Sequence, residues 1–354
     1  MKEYLLSFRG TLCRNNEVVF FENNVQALCK WNIETNEMMT LSKCVGREYF
    51  TGFDLIEYKD QIYIFSTYGQ RILIWNYKKN AYEEIIGYQI NDKDAVLSQC
   101  FHIDKKVYLI YQRPGLYPIL EFDLDRLCFS EINCLKNELN DEGIWAPFIQ
   151  RTATGFLGMN YGKNLIFYVD LILKKASVEL SSDKLRLLSV GELGEKKFCS
   201  CLKDSSLFLT NGELVYKDNT ECNEAYSYMN IVEDIMIVLP RFGNKLIVIK
   251  NNGTSLVPID LGEYGKYYGE QCSKATHCFV VGNKLYLCPN QNRDIVEVVL
   301  DTESVNIIKP KIEKSIYYCW YEVQGKVWNG VFYEERFKHS EKALEEFLEL
   351  FVMQ

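Results

Sequence analysis

Apolar and polar residues alternate along this chain in short runs, and the runs recur in a fixed order. A polar turn between two apolar stretches reads Cys13-Arg-Asn-Asn-Glu-Val-Val-Phe20, then Tyr58-Lys-Asp-Gln-Ile-Tyr-Ile-Phe65, then Ile103-Asp-Lys-Lys-Val-Tyr-Leu-Ile110. It returns at Thr154-Gly-Phe-Leu157, Lys203-Asp-Ser-Ser-Leu-Phe-Leu209, Glu233-Asp-Ile-Met-Ile-Val238, Gly282-Asn-Lys-Leu-Tyr-Leu287 and Gln324-Gly-Lys-Val-Trp328. Most spacings are about 42 to 51 residues, enough for four short strands and a crossing. The second unit shows the whole grammar, with strands predicted over 49–58, 61–66, 71–77 and 82–86. A Gly-containing loop joins the middle pair, and Lys78-Lys-Asn80 turns the chain into the last strand. Third strands end alike, in Trp31-Asn-Ile-Glu-Thr-Asn36, Trp75-Asn-Tyr-Lys-Lys-Asn80 and Phe122-Asp-Leu-Asp125. Short runs rich in Val, Ile, Tyr and Phe, bounded by such turns, are hairpin strands.

A series of four-stranded units of this length predicts an all-β fold, a single β-propeller that buries its sheet edges. Two units depart from the pattern. About 29 residues separate the turns at Asp204 and Asp234, short for a four-stranded unit, and the last unit stops near Tyr333 after two strands. Seven blades is the preferred reading, with the final pair merging into the first unit; eight is the alternative. The propeller is expected over 1–337. Over 338–354 the period changes: Leu344, Phe347, Leu348 and Phe351 recur at helical spacing opposite Glu345, Glu346 and Glu349. Ser340 is a plausible N-cap, which predicts a C-terminal amphipathic helix.

The chain has 354 residues, with 47% hydrophobic and 14% aromatic content to fill one large core. With 40 basic and 48 acidic side chains its net charge is −8, which disfavours broad binding to nucleic acid or to anionic membranes. The cysteine count, 13, is odd and scattered. Cys29, Cys100, Cys199, Cys201, Cys278 and Cys319 fall at apolar positions, as reduced thiols in a core do. No secretory leader is evident before Arg9, so the expected location is cytoplasmic.

This blade grammar resembles the kelch-like, galactose-oxidase-central-domain-like class of β-propellers. The resemblance spans nearly the whole chain but rests on no diagnostic motif: there is no kelch double glycine, no WD dipeptide and no sialidase-type Asp box. It implies a fold and a binding face, with the loops between second and third strands gathered at the mouth of a central channel beside the blade crossings. Those loops carry Tyr68, Arg71, Arg113, Tyr117, Lys163, Arg241, Asn244 and Arg293, and the crossings carry Tyr88, Trp145, Tyr264, Tyr267 and Tyr268. Guanidinium forks suit carboxylate, phosphate or sulfate, and amides and phenols suit sugar hydroxyls or peptide backbone. The bland alternative is that each arginine pairs with a neighbouring acid.

Other chemistry is sparse. Cys199 and Cys201 lie on one strand face, but without a second pair they read as core rather than as a metal site. Of three histidines, His102 and His277 fall on predicted first strands, and a satisfied imidazole is the simpler reading there. No Gly-rich phosphate loop, nucleophile elbow or His-Glu-x-x-His is present, so no cofactor, metal or catalytic residue is assigned. The leading expectation is a binding module for a polar, anionic small molecule, glycan or peptide, with Arg71, Arg113, Lys163, Arg241, Asn244, Arg293, Tyr68, Tyr117 and Trp145 as contacts. The alternatives are a glycan-active hydrolase or lyase and a protein-interaction scaffold; neither nucleic acid nor membrane is an expected partner.

Overall fold

The alternating runs fold as antiparallel meanders. This computed structural model describes residues 6–328 apart from 46–49, 68–70, 89, 91–94, 113–115, 136–148, 161–163, 182–186, 202–205, 218–225, 233, 241–244, 263–277, 289 and 293. The first blade comprises Leu6–Arg14, Glu17–Glu22, Ala27–Asn32 and Glu37–Thr40, and the second Gly52–Tyr58, Gln61–Ser66, Arg71–Asn76 and Ala81–Ile86. Leu97–Ile103, Lys106–Tyr111, Ile119–Asp123 and Cys128–Ile132 form the third, and Gln150–Arg151, Gly155–Asn160, Leu165–Asp170 and Lys175–Ser181 the fourth. The fifth is Leu187–Leu193, Lys196–Cys201, Ser206–Leu209 and Leu214–Lys217; the sixth is Tyr226–Val232, Ile235–Pro240, Lys245–Lys250 and Ser255–Asp260. Cys278–Val281, Lys284–Leu287, Ile295–Val299 and Ser304–Ile308 complete the seventh. The fold is an all-β, seven-bladed propeller of four-stranded antiparallel sheets with one helix near the C-terminal end, Lys314–Trp328.

Two details of the sequence reading change. The fifth unit is complete, because its first hairpin turns at Gly194-Glu195 and the segment around Asp204 joins the second strand to the third. A polar Glu-Lys-Lys run had hidden the true turn. The segment read as a last strand pair is helical instead: Gln324 to Trp328 ends the helix Lys314–Trp328. Its Ile-Tyr-Tyr-Cys-Trp-Tyr run has strong β propensity, but burying Ile316 and Val323 on one face, at a spacing of two helical turns, overrides it. The amphipathic segment 338–354 lies outside the described residues.

The chain divides into two compact units, one holding the first, second and seventh blades with the helix, the other the third to sixth. In the first unit the segment before the helix adds a short edge strand to a first blade that is already complete. Lys311–Ile312 runs parallel to Glu37–Thr40, with Lys311 N–H donating to Asn36 O (2.8 Å) and Glu313 N–H to Met38 O (2.9 Å). Asn290–Asn292 pairs with Leu6–Arg14 on the opposite edge. Trp31 of the first blade meets Tyr286 of the seventh edge-on at 5.5 Å, and Ile316 of the helix is fully buried in the same cluster. First strands of neighbouring blades approach closely: Gly10 has φ +59, and a Cβ there would lie 2.5 Å from Leu55 N of the second blade. Among the described residues no helix is long and apolar enough to cross a membrane.

In the second unit, amide and hydroxyl side chains latch each blade to the first strand of the next. Gln150 of the fourth blade brackets Glu192 of the fifth, donating to its carbonyl (2.9 Å) and accepting its N–H, and Ser200 donates to Tyr226 O (2.5 Å) of the sixth. The repeat extends to buried ionic groups. In the third blade Glu121 accepts from Lys106 (2.9 Å), Ser130 (3.3 Å) and Tyr108 (3.4 Å); in the seventh Glu297 accepts from Lys284 (3.0 Å), Tyr286 (2.9 Å) and Asn306 (3.0 Å). Burial alone would raise both carboxyls, but the lysines and the other donors hold them below the usual carboxylate range.

Candidate functional site

Second strands end at an irregularity that recurs in several blades. Gly52 pairs with Ser66 and Leu97 with Tyr111, each beside a one-residue register shift. The next amide then closes the same bond, Thr67 N–H to Thr51 O (2.8 Å) and Gln112 N–H to Val96 O (2.9 Å). Ser66 and Tyr111 therefore occupy one position of the repeat, and Cys201 and Pro240 hold it in the fifth and sixth blades. β-bulges of this kind re-aim side chains at sheet ends.

What that position does differs sharply. In the second blade Ser66 Oγ accepts the Arg71 N–H at 3.2 Å, and the Arg71 guanidinium grips Glu84 with two bonds, 2.6 and 3.1 Å. The same guanidinium lies over the Phe50 ring at 5.5 Å. In the third blade Tyr111 is 1% exposed and its ring meets Tyr117, itself 6% exposed, at 5.5 Å and 61°. The Tyr111 hydroxyl is buried and makes no hydrogen bond among the described residues. An unmet buried hydroxyl costs about 1–3 kcal/mol, so the fold alone gains nothing from it. Burial, with a smaller contribution from the Tyr88 phenol, pushes its pKa far up, so the group stays a neutral hydroxyl.

Tyr88 reaches the same blade from the crossing. Its hydroxyl donates to Glu131, and its ring stands edge-on to Phe129 at 6.3 Å. The hydrogen bond to that carboxylate raises the Tyr88 pKa. Glu131 also accepts from Asn133 Nδ2 at 3.3 Å. The third blade thus gathers three phenols and a carboxylate, drawn from a second-strand end, the following loop, a crossing and the fourth strand.

Of the nine contacts named from the sequence, two are described. Arg71 is neutralised within its own blade, and Tyr117 packs inward on Tyr111. Tyr68, Arg113, Trp145, Lys163, Arg241, Asn244 and Arg293 lie outside the described residues. Sequence reasoning missed Tyr111. Its trace was there: a large hydroxylated ring where sister blades place Ser, Cys and Pro.

His102 does lie on a first strand, where its carbonyl accepts from Arg151 Nη2 at 2.8 Å; burial, then the Arg151 charge, lowers the imidazole pKa and keeps it neutral. His277 lies outside the described residues. Cys199 and Cys201 are buried, and burial pushes the Cys199 thiol to about 12, which suits a core thiol and not a thiolate. Among the described residues no group of three or more His, Cys, Asp or Glu side chains is placed to hold a metal ion.

No protein-family model and no curated protein sequence matches the chain. Solved structures match in fold. A streptogramin B lyase gives a TM-score of 0.60 at 11% identity, over 87% of this chain and 95% of its own. The virginiamycin B lyase of Staphylococcus aureus gives 0.56 at 12% identity, over 82% and 95%. KlAtg21, solved in complex with the coiled-coil of AgAtg16, gives 0.54 at 11% identity, over 84% and 94%. At these identities the likeness is one of fold, and it carries the kelch-like resemblance no further than a seven-bladed propeller.

Proposed function

We propose that this protein is a binding module for a polar ligand, a glycan or peptide, which engages the third blade where its second-strand end, following loop and preceding crossing meet. The observation that carries this reading is the Tyr111 hydroxyl, a buried donor and acceptor that no described residue satisfies, at a position the second blade closes off with Ser66. Ligand-binding sites pair aromatic surface with a few unmet polar groups. Tyr111 and Tyr117 supply the first, and Tyr111 and the Tyr88–Glu131 pair the second. Arg113 belongs to the same loop by sequence and would extend the site toward anionic groups. The likeness to lyases concerns fold and assigns no reaction, and the likeness to a propeller solved with a coiled coil is consistent with a protein partner.

The test is a thermal-shift and calorimetric screen with neutral oligosaccharides, uronate-containing and phosphorylated sugars, and short acidic peptides. A bound member is expected to lose about tenfold or more in affinity with Tyr111→Phe, because a buried partner is then left unmet. The unliganded melting temperature should not fall. Equal binding by wild type and Tyr111→Phe, with every hit retained, would overturn the reading.

A further inference from the structure

The turn between third and fourth strands is one device used four times in succession, so each copy serves as a control for the others. In the first four blades an Asn or Asp closes the third strand and its side chain accepts backbone N–H groups of the turn. Asn32 takes those of Glu34 and Thr35 (3.0 and 2.9 Å), Asn76 those of Lys78 and Lys79 (2.9 and 3.1 Å), Asp123 those of Asp125 and Arg126 (both 2.9 Å), and Asp170 that of Leu173 (2.7 Å). The fourth turn residue has positive φ in every case, at Asn36, Asn80, Leu127 and Lys174. The two residues between face solvent, and three blades fill them with Glu34-Thr35, Lys78-Lys79 and Asp125-Arg126. The fourth blade fills them with Ile172 and Leu173, 55% and 65% exposed.

Backbone geometry does not ask for these aliphatics, since three sister turns form without them. Nor does it ask for Leu127, 45% exposed at a left-handed position where the first two blades use Asn, the residue that tolerates it. Third and fourth blades pack into one core, and Lys174 Nζ lies 3.8 Å from Glu121 of the third blade. The apolar tips are bordered by Arg126, Lys174 and Lys175, and neither Arg126 nor Lys175 forms an ion pair with a described residue.

We propose that these two turns are a footing for an anionic lipid surface. Ile172, Leu173 and Leu127 enter the boundary between headgroups and acyl chains, while Arg126 and Lys175 meet lipid phosphates and carboxylates. Protruding tips mounted on two separate sheets suit a deformable layer; a rigid protein partner would need two matching concavities. The net charge of −8 does not oppose this, because charges further than about 8 Å from the surface are screened at physiological ionic strength. A footing this small gives reversible, salt-sensitive attachment.

Co-sedimentation with vesicles of phosphatidylcholine, alone and mixed with phosphatidylserine, tests the proposal at low and at physiological salt. Wild type is expected to favour the phosphatidylserine vesicles and to lose binding as salt rises. Ile172→Asp/Leu173→Asp should weaken binding by about tenfold or more, and Lys175→Ser by about fivefold. Ile172 and Leu173 lie in an exposed turn and Lys175 is the exposed first residue of the fourth strand, and an unchanged melting curve verifies folding. Failure of wild type to associate at low salt, or unchanged binding by the double aspartate variant, overturns the proposal. If wild type ignores vesicles but forms a concentration-dependent assembly in sedimentation velocity that Ile172→Asp/Leu173→Asp abolishes, the turns serve a protein contact and the lipid assignment is wrong.

Discussion

At the end of its second strand the second blade places Ser66, whose hydroxyl accepts the Arg71 N–H, beside an arginine already spent on Glu84. The third blade places Tyr111 at the equivalent point and buries its hydroxyl with no bond to any described residue. The backbones agree down to the register shift and the closing amide bond, so the contrast resides in side chains alone. A repeat imposes geometry on every copy, and copies are then free to differ in which polar groups they satisfy. At this position the third blade leaves a hydroxyl without a partner among the described residues, and Arg71, one of the arginines named as candidate contacts, pairs with Glu84 of its own blade.

The contrast should break most visibly at Tyr117. Tyr117→Ala removes a buried ring that supports Tyr111 and should cost about 3 kcal/mol in chemical denaturation; a loss below about 1 kcal/mol would mean the third-blade site is loosely built. Next comes pH. Burial raises the Asp54 carboxyl to about 7 against the lowering effect of the Leu55 N–H bond, while the third-blade equivalent past the bulge is Gln99, which does not titrate. Because the folded value lies above the unfolded one, the neutral carboxyl's contribution is complete below about pH 4. It declines as pH rises and is gone once pH passes about 7. Asp54→Asn should therefore melt with wild type in acid and progressively above it toward pH 8. A gap independent of pH would refute that assignment.

Tyr111→Phe and Ser66→Ala sharpen the comparison directly. The first should leave unliganded stability unchanged or raise it by up to about 1 kcal/mol, and the second should lower it by about 1 kcal/mol. A drop with Tyr111→Phe would show that its hydroxyl has a partner after all. The smallest effect belongs to Arg71→Ala. Its pair with Glu84 is 24% and 42% exposed, so the loss should be about 0.5 kcal/mol, with ligand binding untouched.

Much of the architecture was legible because period-2 strands and Asx turns are local. The third-strand ends at Asn32, Asn76 and Asp123 carry their own hydrogen-bond acceptors and needed no tertiary help to be recognised. The fifth-blade turn at Gly194-Glu195 was obscured because a Lys-rich strand start looks like a loop. The helix Lys314–Trp328 was misread because its β-branched and aromatic residues favour strands until Ile316 and Val323 find an apolar bed. Of the candidate site, the loop and Tyr117 were visible in sequence, whereas Tyr111 was hidden at the end of an ordinary-looking strand.

The sequence by itself determined that this is a propeller and how its turns are made, since strand period, turn chemistry and spacing depend on residues near one another in the chain. Only the tertiary structure decided how Lys311–Ile312 is paired with the first blade, that Arg71 is neutralised by Glu84, and that the Tyr111 hydroxyl is buried without a partner among the described residues. Those outcomes depend on burial and on neighbours from other strands, and burial sets the free energy of a polar group in a way that no local pattern encodes.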